Sequence, residues 1–383
     1  MRRPTLIGLM LALAAVFWPW TVGAQQSPLR LVGQYSIESR RIVLDTMFGG
    51  LSGLAYDAAR GVYYAVSDDR GENQPARFYT LQIDLDAGGI QNVTPLAVTY
   101  FDSDAATAGI QPYERGDSDL EDIQLLADDT LLVSSERDKA NRPWIRHFAL
   151  DGSLLGELPL PARYLPVTEL GADGRPRTVR GVRPNLGFEG LALTPSQETL
   201  WLANEQAPAQ DGPTASTERA TNIRLARFER YGDEVRPTAE YVYQVAPTFA
   251  ASTDPAVPAD NGVSALLWVR HVLPQYDLLT LERAFAAGVG NDVNIYGVTL
   301  DDATDVRDVD ALPQPFTGRT ARKVLLGNLT ALGVQSDNLE SITLGPRLPN
   351  GNPSLLLMSD DNFSAAGGSP QINQFILLEI AAP

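Results

Sequence analysis

One paired motif recurs five times along the chain, and each copy places polar residues, mostly carboxylates, at both ends of two short apolar runs. The first marked position of each copy is residue 52, 121, 189, 264 or 340. Successive marked positions lie 68 to 76 residues apart, so one structural unit recurs at a nearly constant interval. A period of this length indicates a repeat architecture.

Each copy of the motif is followed by two further short runs rich in β-branched and aromatic residues. The further runs are 77–85 and 93–101 in the first unit, 144–150 and 154–160 in the second, 223–228 and 239–245 in the third, and 292–300 and 322–329 in the fourth. Four short strands per repeat, separated by Gly, Pro and Asp turns, are typical of a propeller blade.

The fifth unit is one strand short, because only the run 374–380 follows its motif before the chain ends. Residues 29–37 alternate like an outer strand and belong to no other unit, so we expect them to complete the last blade and pair its edge. The sequence therefore predicts an all-β fold, a single β-propeller of five four-stranded blades. Six blades are the alternative, which requires splitting the inserts 102–118, 167–185 and 206–222, predicted here to be loops rather than strands.

The first 24 residues have the three parts of a secretory signal peptide. Arg2 and Arg3 precede an apolar run over 6–20, and small residues follow at 22–24. We predict a signal peptide over 1–24 and one propeller domain over 25–383, and therefore a periplasmic or secreted protein. An uncleaved membrane anchor is the alternative for the first segment. No second apolar run reaches the length of a membrane span, so we expect no span after cleavage.

Composition limits the classes of binding partner and the kind of metal site that the protein can have. The formal charge is −17 and becomes −19 without the two signal arginines, which disfavours nucleic acid and anionic membranes as partners. The chain has no cysteine and only two histidines, His147 and His271. A metal site would therefore be all-oxygen, and this donor set favours Ca²⁺ over zinc. We expect a monomer that binds a small anionic ester or ligand.

Hairpin geometry predicts where the carboxylates meet. Residues equidistant from a turn face each other, which pairs Glu121 with Glu136, Glu189 with Glu205 and Glu340 with Asp360 at one end of their blades. Eight of the ten marked positions are acidic, the exceptions being Ser52 and Ser264. The eight are Asp68, Glu121, Glu136, Glu189, Glu205, Glu282, Glu340 and Asp360. If the first strands line a channel, these groups crowd one mouth, where like charges raise one another's pKa unless a cation compensates.

Arginines and a metal ion are the two candidates for that positive charge. Arg70, Arg137 and Arg283 each follow an acid directly and are predicted to bind the substrate anion; the alternative is that they form salt bridges between blades. The predicted metal ligands are Glu121, Glu189, Glu340, Asp68 and Asp360. The predicted catalytic carboxylates are Glu189, Glu205 and Glu136.

Six ordered blocks make the chain resemble the bacterial phytase-like family, described by esterase-like activity. The blocks are Gly-Leu-Ser-Gly-Leu-Ala-Tyr at 50–56, Ala-Val-Ser-Asp-Asp-Arg at 65–70, Asn-Leu-Gly-Phe-Glu-Gly-Leu-Ala at 185–192, Trp-Leu-Ala-Asn-Glu at 201–205, Asp-Asn-Leu-Glu-Ser-Ile at 337–342 and Leu-Leu-Met-Ser-Asp-Asp-Asn-Phe at 356–363. The resemblance implies an exported propeller protein and an association with phosphate-ester hydrolysis.

These observations lead to one main hypothesis, an exported calcium-dependent hydrolase of phosphate or carboxylic esters with its site at the acidic mouth. The alternative is a non-catalytic ligand-binding propeller with a structural metal site. A glycosidase that uses two of the channel carboxylates is a third possibility, but no aromatic sugar platform lies near the motifs.

Overall fold

The chain folds as a five-bladed β-propeller, in a computed structural model that describes residues 27–231, 234–364 and 371–381. Each blade is a four-stranded antiparallel sheet. The predicted signal peptide lies outside the described residues and stays a prediction. Among the residues that are described, no helix has the length and hydrophobicity of a membrane span.

The strands follow the order that the repeat predicts. The chain begins with β1 (Leu29–Ile37) and the hairpin β2 (Arg41–Val43) and β3 (Thr46–Phe48). Blade 1 contains β4 (Leu51–Asp57), β5 (Val62–Ser67), β6 (Arg77–Asp86) and β7 (Gly89–Tyr100). Blade 2 contains β8 (Leu120–Leu125), β9 (Thr130–Ser135), β10 (Trp144–Ala149) and β11 (Leu154–Glu157), and a hairpin of β12 (Val167–Leu170) and β13 (Pro176–Arg180) follows it.

The remaining blades complete the ring. Blade 3 contains β14 (Phe188–Leu193), β15 (Thr199–Asn204), β16 (Thr221–Tyr231) and β17 (Glu234–Val245). Blade 4 contains β18 (Asp260–Trp268), β19 (Leu278–Ala286), β20 (Gly290–Thr299) and β21 (Arg322–Asn328). Blade 5 contains β22 (Leu339–Leu344), β23 (Ser354–Ser359), β24 (Asn373–Ile380) and β1. Short 3₁₀ turns lie at Ala162–Tyr164, Ala209–Asp211 and Asn362–Ser364.

The N-terminal strand closes the ring, as the sequence predicts. Strand β1 pairs antiparallel with β24, from Leu29 opposite Ile380 to Ile37 opposite Asn373. The sheet order β1, β24, β23, β22 makes β1 the outer strand of blade 5. The count of five blades is therefore confirmed.

The hydrophobic core is divided into clusters that lie between neighbouring blades, one cluster for each of the five interfaces. Strand β23 shows why. Its residues Leu355 and Leu357 face blade 4, whereas Leu356 and Met358 face blade 1. Side chains of a strand alternate between its two faces, so a strand that packs against a neighbour on both faces is apolar at consecutive positions, as β23 is over 355–358.

Two of the three inserts contain more structure than we expected. The segment 167–185 is not all loop, because β12 and β13 pair within it. In 206–222, the buried Asp211 carboxylate accepts hydrogen bonds from Nε and Nη2 of Arg224 at 2.5 and 2.9 Å. Nη1 of Arg224 also donates to Glu240 at 2.7 Å. These partners are distant in sequence, so composition alone did not predict the packing.

Closure can be tested by deletion. Removing residues 25–37 takes away the ladder partner of β24 and buried side chains such as Leu29 and Ile37. We expect this to cost several kcal/mol of a total of about 5–15 kcal/mol, so that the protein aggregates or unfolds in thermal denaturation and size-exclusion experiments. The control replaces the exposed residues 105–109 by a short Gly linker, which should leave the melting temperature nearly unchanged. A stable monomer lacking 25–37 would refute the closure.

Candidate functional site

A β-bulge recurs in the innermost strand of every blade, at or beside the marked position. The pairing register shifts between Leu51 and Leu54, between Leu120 and Ile123, between Phe188 and Gly190, between Val263 and Ala265, and between Leu339 and Ser341. Bulges locally bend a strand and re-aim its side chains. The direct facing predicted for Glu189 and Glu205 is therefore wrong, because Glu189 is the extra residue of its bulge and has no opposite partner. The facing predicted for Glu340 and Asp360 and for Glu121 and Glu136 is wrong for the same reason, because Glu340 and Glu121 also lie within their bulges.

The second marked positions of four units lie at equivalent places in their blades. Backbone N–H groups of Asp68, Glu136, Glu205 and Asp360 each donate to a carbonyl at the start of the inner strand, at 2.6 to 2.9 Å. In blade 4 the equivalent pair is Gly262 and Arg283.

Arg283, and not Glu282, therefore occupies the fifth position of this ring. The prediction that Glu282 lies at the mouth is wrong. Its buried carboxylate accepts the Tyr243 hydroxyl at 2.6 Å and is paired with Lys323.

Residues at both marked positions of the blades line a cavity of about 330 Å³ at the channel mouth. Nine carboxylates and Arg283 line it within the described part of the chain. The nine are Asp68, Asp119, Glu121, Glu136, Glu189, Glu205, Asp260, Glu340 and Asp360. Every predicted metal ligand and every predicted catalytic carboxylate is among them, so the structure brings these residues together.

Six of these nine carboxylates form two groups of three, and each group could hold a cation. The blade 1–2 group consists of Asp68, Asp119 and Glu121, and the blade 2–3 group consists of Glu136, Glu189 and Glu205. Within each group, one oxygen from each side chain lies within 4.8 Å of the other two. Of the five predicted ligands, Asp68, Glu121 and Glu189 belong to these groups, while Glu340 and Asp360 line the same cavity outside them.

Glycines make room for two carboxylates of the blade 2–3 group. A Cβ on Gly187 would lie 2.9 Å from Cγ of Glu136, and one on Gly262 would lie 2.4 Å from Cγ of Glu205. In addition, the N–H of Gly187 donates to Oε1 of Glu136 at 2.5 Å. Gly187 directly precedes the inner strand of blade 3 and Gly262 lies near the start of the inner strand of blade 4, so close contact with the next blade fixes both carboxylates.

Arg283 is the positive charge of the cavity. Its Nη2 lies 3.3 Å from Oε1 of Glu205 and 3.5 Å from Oε1 of Glu340. Asn338 also accepts a hydrogen bond from Arg283 and donates one to Glu340 at 2.7 Å. The guanidinium therefore connects blades 3, 4 and 5, as the inter-blade salt-bridge alternative predicts.

The other two predicted arginines lie beside the cavity and share one carboxylate. Nε of Arg70 is 3.2 Å from Oδ1 of Asp119, and Arg137 is paired with the second oxygen of the same carboxylate. Arg137 also donates to the Asn185 side chain at 2.7 Å. Arg70 is 40% exposed and Arg137 is 12% exposed, so Arg70 is the one that solvent reaches readily.

Burial is the main cause of raised carboxylate pKa values at the mouth. It raises the pKa of Glu136 to about 7 and that of Glu205 to about 8. The pKa values of four other carboxylates lie well above their ordinary range, those of Asp68, Glu121, Glu189 and Asp360. Repulsion adds to burial: Glu189 raises the pKa of Glu121, and Asp119 raises that of Asp68. Bound protons or cations must therefore neutralise part of the negative charge in the cavity.

The sequence interpretation missed Asp119 and Asp260 as cavity residues. A signal for Asp119 was present, because the first residue of the inner-strand motif is Gly50, Gly187 or Gly262 in three units. Asp119 and Asn338 replace that glycine in the other two units, and both side chains line the cavity. Asp260 precedes its motif and carried no comparable signal.

A family model described as phytase-like, esterase-like activity of phytase, matches residues 46–363. A search of curated proteins found no match. Among solved structures, the periplasmic gluconolactonase of Pseudomonas aeruginosa is 13% identical, with 86% of this chain and 85% of that chain covered and a TM-score of 0.36. The PQQ-bound aldose sugar dehydrogenase of Streptomyces coelicolor is 12% identical, with 91% and 98% covered and a TM-score of 0.35. Likeness at these TM-scores says nothing about a shared site.

The raised pKa values predict how stability depends on pH. Above the ordinary carboxyl pKa of 4.5, the unfolded chain loses protons that Glu136 and Glu205 retain up to about pH 7 and 8. The folded state then binds more protons than the unfolded state, so its stability falls as pH rises through this window. We expect the melting temperature in EDTA to fall between about pH 5.5 and pH 8, and Ca²⁺ to restore it at pH 8. A melting temperature that stays constant or rises would contradict the protonation of the mouth.

Proposed function

We propose, from the premise that the chain belongs to the phytase-like family described by esterase-like activity, that it is an exported calcium-dependent hydrolase of phosphate or carboxylic esters. The observation that carries the proposal is the cavity at the channel mouth, where, among the residues that the structure describes, nine carboxylates meet one arginine. Export rests on the signal peptide predicted for residues 1–24.

The donor set fits Ca²⁺. Calcium takes six to eight oxygen ligands at about 2.3–2.6 Å, so oxygens on opposite sides of one ion lie up to about 5 Å apart. The oxygens of each three-carboxylate group lie within 4.8 Å of one another, which meets that requirement. We assign Glu136, Glu189 and Glu205 to one ion, and Asp68, Asp119 and Glu121 to a second position. When bound, Ca²⁺ supplies Lewis acidity that polarises an ester oxygen and acidifies a water ligand.

The residues of the chain bind and orient the substrate and accept a proton. Arg283 binds the anionic group of the ester, because it is the one arginine among the described residues that line the cavity. Once a bound ion has displaced its own proton, Glu205, whose Oε1 is 3.3 Å from Arg283, accepts the proton of the attacking water. Glu136 and Glu189 hold the rest of the blade 2–3 group in place. Glu340 provides a counter-charge for Arg283 before the substrate arrives.

Three predicted residues have supporting roles in this proposal. Asp360 lines the cavity wall beside Glu340 and remains a predicted ligand. Arg70 and Arg137 neutralise Asp119, and Arg70 is exposed enough to meet an approaching anion. A small anionic ester fits the cavity volume of about 330 Å³.

Turnover assays test the proposal. We expect the purified protein to hydrolyse p-nitrophenyl phosphate or a short p-nitrophenyl ester, to lose the activity in EDTA and to regain it with Ca²⁺. Glu205→Gln should lower kcat by about 100-fold or more, because a general base typically contributes 10²–10⁴-fold. The control Glu169→Gln changes an exposed carboxylate on β12 and should leave kcat unchanged.

One result would contradict the hydrolase, and a second observation would then identify the alternative. Absence of EDTA-sensitive turnover on both substrate classes would exclude the hydrolase. If the protein also binds Ca²⁺ and a small anion, and Glu189→Gln weakens that binding, the non-catalytic binding propeller is the correct function.

A further inference from the structure

Asp122 breaks the repeat at a position where the other four blades have small residues. The residue after the first marked position is Gly53, Gly190, Ala265 or Ser341 in those blades. In blade 2 it is Asp122, next to Glu121 and inside the same bulge. Its side chain is buried and is not among the groups that line the cavity. A buried carboxylate is costly unless it is hydrogen-bonded, so its partners show what it does.

The Asp122 carboxylate joins the bulge of blade 2 to the inner strand of blade 3, just after the bulge of that strand. Its Oδ2 accepts the backbone N–H of Leu191, two residues after Glu189, at 2.7 Å. Its Oδ1 accepts the N–H of Ile123 at 2.7 Å, and its own N–H donates to the Ser134 hydroxyl at 3.0 Å. One side chain thus holds the backbone segments that carry Glu121 and Glu189.

We propose that Asp122 is a positioning residue that sets the distance between the blade 1–2 and blade 2–3 carboxylate groups. This inference rests on the proposed function, because it acts through the ions held by those groups. Glu121 and Glu189 come from different groups and repel each other, so something must hold their strands together against that repulsion. Hydrogen bonds that orient metal ligands typically change affinity by about 10- to 100-fold when removed.

Ser264 provides a matched control. It occupies the bulge of blade 4, is buried, and its hydroxyl donates to the carbonyl of Leu339 in blade 5 at 2.9 Å. This bond also joins two neighbouring inner strands, but Ser264 belongs to neither three-carboxylate group. Ser264→Ala therefore removes a bulge contact between blades without changing a contact of either three-carboxylate group.

The experiment measures Ca²⁺ affinity by calorimetry and melting temperature in EDTA for the same set of full-length variants. Asp122→Ala should weaken Ca²⁺ binding by about 10-fold or more. Asp122→Asn keeps an oxygen for the Leu191 N–H and should recover most of the affinity. Ser264→Ala should lower the melting temperature but leave the affinity at the wild-type value.

The outcomes distinguish failure of the positioning role from failure of the proposed function. If wild type binds Ca²⁺ and Asp122→Ala binds it equally well, the positioning role is wrong while the proposed function stands. An equal loss of affinity in Ser264→Ala also overturns the role, because the effect would then be general destabilisation. If wild type binds no Ca²⁺, the proposed function fails and the positioning role fails with it.

Discussion

Repulsion among buried carboxylates is the constraint on which the rest of the structure depends. In the described part of the chain, nine of them surround one cavity, and Arg283 is the arginine that lines it with them. Burial penalises each charge and neighbouring charges add to the penalty, so the cavity is stable only with protons or cations present. A scaffold that concentrates this much negative charge must be held together elsewhere. The five apolar clusters between blades and the strand β1 that closes the ring supply that stability.

Backbone irregularity places the charges where they meet. A regular hairpin would direct alternate side chains toward the neighbouring blades, which suits the apolar residues of each strand. The bulge at the top of each inner strand departs from this alternation, and in three blades it carries a glutamate that lines the cavity, namely Glu121, Glu189 or Glu340. The same inner strand thus presents carboxylates at its bulge and apolar residues along the regular part that follows.

The repeat and the alternation of apolar residues predicted the blades and their closure, because both follow from local periodicity. The register at the mouth was not predictable in the same way. Residue types do not reveal the pairing register, so Glu282 was assigned to the ring position that Arg283 occupies, one residue further along the strand. Long-range packing was equally hidden, as in the contact of Asp211 with Arg224. The membership of the carboxylate cluster was largely predicted, since every marked acid except Glu282 lines the cavity.

Proton release on Ca²⁺ binding tests the central claim most directly. Calorimetric titrations of ion-free protein at about pH 7, in two buffers of different ionisation enthalpy, measure how many protons leave the protein for each bound ion. Carboxylates with raised pKa values must lose protons before they bind a metal, so the account predicts saturable binding with net proton release that decreases as pH rises toward 9. Absence of binding, or binding without proton exchange at pH 7, would contradict the claim that a cation relieves the charge crowding at the mouth.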